Sequence, residues 1–259
     1  MTPSTHFQQT RDRKESPMEY QSDMPMLYQR PVPLNSEIHA ALTIGPSPSG
    51  YAFAAAAHSV ILAGVEFGEA CRYFPILFTA SDNATALPVA LMGLQADENL
   101  FVGSSGEWQA GYIPAYIRRY PFISTEGEDA TQIVCIDEAY GGLNRVGGEQ
   151  LFEGAAPGPY LKKALEFLSD FLVQMRSTEL FCRQLQELGL LTPMNASIQL
   201  VDSRTFTLTD FLVVDEQKLR EIDGDALESL FRSGALALVY AHILSLRSLQ
   251  GLLDRKAAQ

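Results

Sequence analysis

The sequence predicts an α+β protein, with a mainly antiparallel or mixed sheet in the first half and helices packed with a β-hairpin in the second. Three observations carry this: strand-like runs cluster early, a long helical stripe of leucines opens the second half, and one alternating segment sits among the later helices. Neither a dinucleotide-binding fingerprint nor a P-loop is present, and strands do not alternate regularly with helices, which argues against a doubly wound α/β sheet. A chain of 259 residues with 46% hydrophobic content can bury a core without staples. One domain over residues 26–259 is expected, with two lobes meeting near 150–160 as the other arrangement. Residues 1–25, low in apolar content, are expected to form a tail.

The elements follow in order. Pro31 and Pro33 enforce extended backbone, and Asn35 or Ser36 is placed to cap a short turn or to start a strand that carries His39. GPSPSG at 45–50 is a loop by composition. HSVILAGVEFGEACRYF predicts a helix from about Leu62 that ends before Pro75. Strands are expected at 75–80, 87–94 and 99–103, separated by turn residues, and TQIVCID at 131–137, apolar on both faces, reads as a central strand. Leu161, Leu165, Leu168, Leu172 and Met175 advance by four, three, four and three residues, one buried helical stripe. The phase slips near Ser177 to Phe181, Leu185 and Leu188, so two helices or one kinked helix are expected, closed by Gly189 with Pro193 beyond. ASIQLVDSRTFTLTDFLVVD alternates as a hairpin that turns at 202–204. Two or three helices broken at Gly224 and Gly234 complete the chain, and the last, apolar on several sides as far as Leu246, is expected to be buried and central.

Composition excludes several function classes. The formal net charge is −12 and the pI about 4.8, without a local Lys/Arg cluster, so nucleic acid and anionic lipid are not expected partners. Cys71, Cys135 and Cys182 are widely spaced and form no C-x-x-C pair, which argues against zinc or a redox dithiol and for reduced, buried thiols. The segment MTPSTHFQQTRDRKESPMEY lacks the apolar run of a secretory signal. The longest uncharged stretches, such as 234–246, fall short of the roughly 20 residues that span a bilayer. A cytoplasmic protein without a membrane span or cofactor is expected, its oligomeric state open.

The segments EFGEACRYFPILF, VALMGLQADENLFVGSSGEWQAGYIPAYIRRYPF, VCIDE, FLVVDEQKL and GALALVYAHILSLRSL together resemble the SapC family of bacterial proteins. The likeness runs from about residue 27 to residue 253, and the YIP…RRYPF block is its most specific part. It implies a neighbourhood more than a mechanism: the family takes its name from a locus concerned with surface-layer formation and export. Members also occur near genes for flavin halogenase-like enzymes, cupin-like proteins and outer-membrane uptake receptors.

The candidate ligand-binding residues lie in WQAGYIPAYIRRYPF: Trp108, Tyr112, Tyr116, Arg118 and Arg119. If Pro114 opens a helical turn, Tyr112, Tyr116 and Tyr120 align at i, i+4 and i+8, and the two arginines project to different sides. Guanidinium groups framed by rings suit a carboxylate or phosphate, and we expect one arginine accessible beside the rings and the other tied to an internal carboxylate. The competing reading pairs an arginine with Asp137 or Glu138 and gives the rings to the core.

His39 and His242, with Asp137 or Glu138, offer a two-histidine, one-carboxylate iron site, although the usual H-x-D/E spacing is absent. A hydrogen-bonded core histidine is the competing reading of each. Ser105 in GSSGEW lacks the glycine of a nucleophile elbow, GGLNRVGGEQ lacks the Lys-Ser/Thr of a P-loop, and Asp215 and Glu216 suit a helix start. The reading adopted is a non-catalytic binding or accessory protein for a small anionic or peptide-like ligand or a protein partner. A non-haem iron oxygenase is the second reading, and a structural surface-layer component, resting on the family name, the third.

Overall fold

A computed structural model describes residues 26–80, 85–126, 131–144, 146–199 and 203–259. The tail expected over residues 1–25, and Asp202 of the expected hairpin turn, lie outside them. The first half contributes strands β1 (Pro31–Pro33), β2 (Thr43–Ile44) and β3 (Ser59–Ile61), the one-turn helix α1 (Phe67–Ala70), then β4 (Ile76–Ala80) and β5 (Ala86–Leu91). The one-turn α2 (Ala115–Arg118) leads into β6 (Phe122–Glu126) and β7 (Gln132–Asp137), followed by the short β8 (Glu149–Gln150), β9 (Phe152–Glu153) and β10 (Ala156–Pro157). The second half holds α3 (Pro159–Glu187), the hairpin β11 (Leu191–Gln199) and β12 (Thr205–Val214), and helices α4 (Glu216–Glu221), α5 (Gly224–Arg232), α6 (Ala235–Ser245) and α7 (Ser248–Ala257).

The strands pair antiparallel throughout. A five-stranded sheet runs β11-β12-β4-β5-β3, and a three-stranded sheet runs β1-β7-β6 with β7 in the middle, as its two apolar faces require. Mixed helices and antiparallel strands make the fold α+β. Consecutive Ile76, Leu77 and Phe78 are fully buried, so β4 is covered on both faces.

Helix α3 is one unbroken helix of 29 residues, not two. The slip in its stripe has a different cause from a kink. Its first half packs Leu161 and Leu168 with Ile44, Phe122, Ile136 and Leu151 beside the small sheet, and its second half packs Phe181, Cys182 and Leu185 into the core of the large one. One helix serves two cores, so its buried face rotates along its length. Gly189 closes it at φ +64°, the left-handed conformation that glycine adopts without strain.

Two expected elements differ. The stretch after Leu62 forms a 3-10 turn at Gly64–Glu66 and then the single turn α1, because Gly64 and Gly68 are poor helix formers and the Gly64 N–H donates to the Thr178 hydroxyl at 2.8 Å. Residues 99–103 form a turn, since the Asn99 amide accepts from Phe101 N–H and donates to Ala54 O. Of the two readings of the segment before His39, the capped turn holds: Asn35 accepts from Glu37 and Ile38 N–H, and no strand carries His39.

Helix α6 is only half covered. Ala235, Val239, His242 and Ser245 are buried, while Tyr240 and Leu244 remain more than half exposed. With α7 it forms a helical stretch, Ala235–Ala257, that is long enough to cross a bilayer by length and composition only, its most apolar 18 residues having mean hydropathy 1.4. The uncharged run at 234–246 alone is shorter than this.

Candidate functional site

Glu66 organises the Trp108–Phe122 block. Its carboxylate is buried, with Oε1 accepting from Ala115 N–H (2.7 Å) and the Tyr112 hydroxyl (2.8 Å), and Oε2 from Ala63 N–H (2.9 Å). Pro114 arrives extended at ψ 144°, so the free N–H groups of α2 begin at Ala115, where the carboxylate waits. Tyr112 in turn fixes Trp108, whose indole N–H donates to the Tyr112 carbonyl at 2.8 Å. Burial, and then the Glu66 charge, push the Tyr112 hydroxyl above the ordinary tyrosine range.

The arginine doublet divides as consecutive residues in a turn must. Arg118 is exposed, its Nε donating to Ile113 O at 3.0 Å and its guanidinium lying 5.1 Å from the Phe167 ring centre and 5.9 Å from that of Tyr112. Arg119 turns inward, 3.9 Å above the buried Tyr116 ring, with Phe171 at 5.2 Å and Tyr28 at 5.9 Å. The internal carboxylate expected for it is absent among the described residues: rings hold the charge instead, and its Nε is buried without a hydrogen-bond partner. Nor do the tyrosines form one stripe, because α2 lasts a single turn. Tyr112 serves Glu66, Tyr116 lies under Arg119, and Tyr120 stacks on Phe53 at 4.0 Å.

Asp137 is fully buried and saturated. Oδ1 accepts from Arg30 and Ala139 N–H and Oδ2 from Gln29 N–H, each at 2.9 Å, and the Tyr120 hydroxyl donates to Oδ2 at 3.1 Å. Glu138 pairs with Arg30 at 3.0 Å. Neither acid meets the arginine doublet.

The iron arrangement of His39, His242 and Asp137 is not assembled. His242 Nε2 accepts from Val214 N–H (3.0 Å) and Nδ1 donates to Ile76 O (2.7 Å), so both ring nitrogens are taken by backbone, and burial lowers its pKa to about 4. His39 Nδ1 accepts from Asn35 N–H, and its Nε2 lies 3.8 Å from Glu138. Among the described residues no group of three His, Cys, Asp or Glu side chains has metal-holding geometry. The three thiols are free; Cys135 and Cys182 are buried as expected whereas Cys71 is only half-buried, and burial raises all three, Cys182 to about 12.

A cleft stands where sequence reasoning proposed nothing. The 45–53 loop and the turn after β7 enclose about 220 Å³, lined by the aromatic residues Phe53, Tyr120 and Tyr140 and by Ser47, Ser49 and Gln29. Among the described residues no charged side chain lines it. The two loops are pinned: Gly45 N–H donates to Gly142 O (2.8 Å), the Tyr140 hydroxyl donates to Gly45 O (2.9 Å), and Tyr51 N–H donates to Gly106 O (2.8 Å). A Cβ on Gly142 would meet Gly45 O at 2.2 Å, so this close approach requires glycine. Rings continue from the cleft through Phe53 and Tyr51 (6.0 Å) to Trp108 (5.7 Å from Tyr51), linking it to the opening block. The sequence signals were the Gly141-Gly142 pair and the GPSPSG loop, both of which read as connection alone.

The SapC family model matches residues 34–252. The chain belongs to the SapC family. That match covers the large sheet, β6 and β7 of the small one, α3, the whole Trp108–Phe122 block and the cleft lining other than Gln29; β1 and the last residues of α7 lie outside it. No curated protein and no solved structure gives a significant match.

Proposed function

We propose that this SapC-family chain is a non-catalytic binding protein of the accessory kind, which holds a small, uncharged, peptide-like group in the cleft between the 45–53 loop and the turn after β7. The observation that supports it is the chemistry of that cleft: two pinned loops and Tyr120 place aromatic faces beside hydroxyl and amide groups, with no charge in the lining. Apolar walls with a few placed polar groups are the usual make-up of a ligand site. Its volume of about 220 Å³ suits one side chain or one peptide unit rather than a whole cofactor.

An anionic group at Arg118 is the second reading. The Ile113 carbonyl and the Phe167 and Tyr112 rings hold the plane of this exposed guanidinium, an arrangement that favours a carboxylate.

One titration separates the two. Labelled protein is followed by NMR while N-acetyl amino-acid amides and the matching free acids are added. Amides are expected to shift resonances of Tyr120, Tyr140 and Ser49, and Ala52→Trp, which fills the exposed cleft mouth, abolishes this while Arg118→Ala does not. Free acids that shift Arg118 and lose affinity in Arg118→Ala support the second reading. Amides that leave the cleft resonances unmoved defeat the first.

A further inference from the structure

The rings around Arg119 meet its charge but leave its hydrogen bonds unmade. Tyr116 lies 3.9 Å from the guanidinium, with Phe171 of α3 at 5.2 Å and Tyr28 at 5.9 Å. A ring face attracts a cation, yet it is a poor substitute for the oxygen acceptors that guanidinium N–H groups call for. Nε is buried without a hydrogen-bond partner, whereas neither terminal nitrogen is both buried and unpartnered. Neither terminal nitrogen is hydrogen-bonded or ion-paired to a described residue, so both reach solvent, and the side chain as a whole is half-buried. The Tyr28 hydroxyl is near enough to feel the Arg119 charge, but it is neutral and donates its proton to Phe122 O at 2.6 Å.

The missing counter-charge stands out against the composition. Acids outnumber bases 31 to 19, and the exposed Arg30, Arg72 and Arg232 each pair with a glutamate that gains them little in water. Arg119, whose charge is partly withdrawn from water and would gain most from a carboxylate, has none among the described residues. We propose that the open end of the Arg119 guanidinium is a binding site for a small carboxylate, separate from both the aromatic cleft and Arg118.

Charge and shape select this class. The adjacent cation, Arg118, turns away to Ile113 O and the Phe167 ring, so a single positive charge serves the site. One charge suits a carboxylate better than a phosphate dianion, and the net charge of −12 disfavours a polyanion. The two terminal nitrogens form half of a planar fork, the geometry that a carboxylate matches with two parallel hydrogen bonds. Packing against Tyr116 and Phe171 holds that fork in one place, so less freedom is lost on binding than at the exposed Arg118. Because the carboxylate would be bound outside the cleft, failure of the amide ligand there leaves this site standing.

Side-chain NMR of the purified full chain tests this, with sodium acetate titrated against sodium chloride and sodium phosphate at one ionic strength. Acetate is expected to shift the Arg119 side-chain signals and the ring signals of Tyr28, Tyr116 and Phe171 to saturation, chloride to leave them in place, and phosphate to act more weakly than acetate. Arg119→Lys keeps the charge but removes the fork, and should weaken the acetate response of the three rings about tenfold, with circular dichroism confirming the fold. Arg118→Ala should leave that response intact. Should Arg119→Lys fail to fold, the wild-type titration decides alone: Arg119 signals that ignore acetate, or follow chloride equally, overturn the proposal. A response lost in Arg118→Ala but kept in Arg119→Lys also overturns it, and phosphate binding tighter than acetate overturns the carboxylate assignment.

Discussion

Glu66→Gln tests the physical account of the Trp108–Phe122 block. The substitution keeps the shape but replaces one acceptor oxygen with an NH₂ group. If the remaining oxygen serves Tyr112 and Ala115, the new NH₂ faces the Ala63 N–H, donor against donor, where the carboxylate now accepts at 2.9 Å. A buried donor left unsatisfied costs roughly 1–3 kcal/mol, and two bonds to a charged acceptor become weaker neutral ones. A total of about 3 kcal/mol follows, which for a chain of this size lowers Tm by roughly 6–12 °C. Trp108 is the only tryptophan, and its indole bond ends on Tyr112, so its fluorescence reports the same event. The expected result is a lower unfolding midpoint together with a red-shifted native emission, and Tyr112→Phe, which removes one bond, should give a smaller loss in the same direction. A Glu66→Gln protein within about 0.5 kcal/mol of wild type, with unchanged emission, would refute the claim that this carboxylate holds the block.

Two further predictions concern buried charge. The His242 pKa falls from 6.5 to about 4 on folding, so the neutral ring's contribution is complete above about pH 6.5 and is lost as pH drops towards 4, on the order of 3 kcal/mol; urea unfolding between pH 7.5 and 4.5 should show this slope, and His242→Gln should flatten it. Arg119→Ala is expected to cost about 2 kcal/mol because it empties the space above Tyr116, while Arg118→Ala stays within about 0.5 kcal/mol; chemical denaturation of both reverses the assignment if Arg118 proves the costlier loss.

What the sequence made legible, and what it did not, divides by the range of the interaction. The β7 run, the hairpin, the Gly189 cap and the Asp215 cap, which accepts from Gln217 and Lys218 N–H, all depend on residues within a few positions of one another. Periodicity and capping chemistry report such local agreement directly. The same rules failed where a side chain from elsewhere in the chain replaced a local partner. Gly64 gives its N–H to Thr178, 114 positions away, and Glu66 reaches Tyr112 across 46. Arg119 shows the failure most clearly, because charge logic expected a carboxylate and the fold supplied Tyr28, Tyr116 and Phe171 from three separate segments. The aromatic cleft was invisible for a related reason: loops have no period, and its walls come from positions about 90 residues apart that only the β1-β7-β6 sheet and the Gly45–Gly142 contact bring together. Helix α6 carries the opposite lesson. Its all-round apolar character did signal burial, yet only the Ala235, Val239, His242 and Ser245 side is covered while Tyr240 and Leu244 stay open, because a helix without polar periodicity does not say which of its sides the fold will cover.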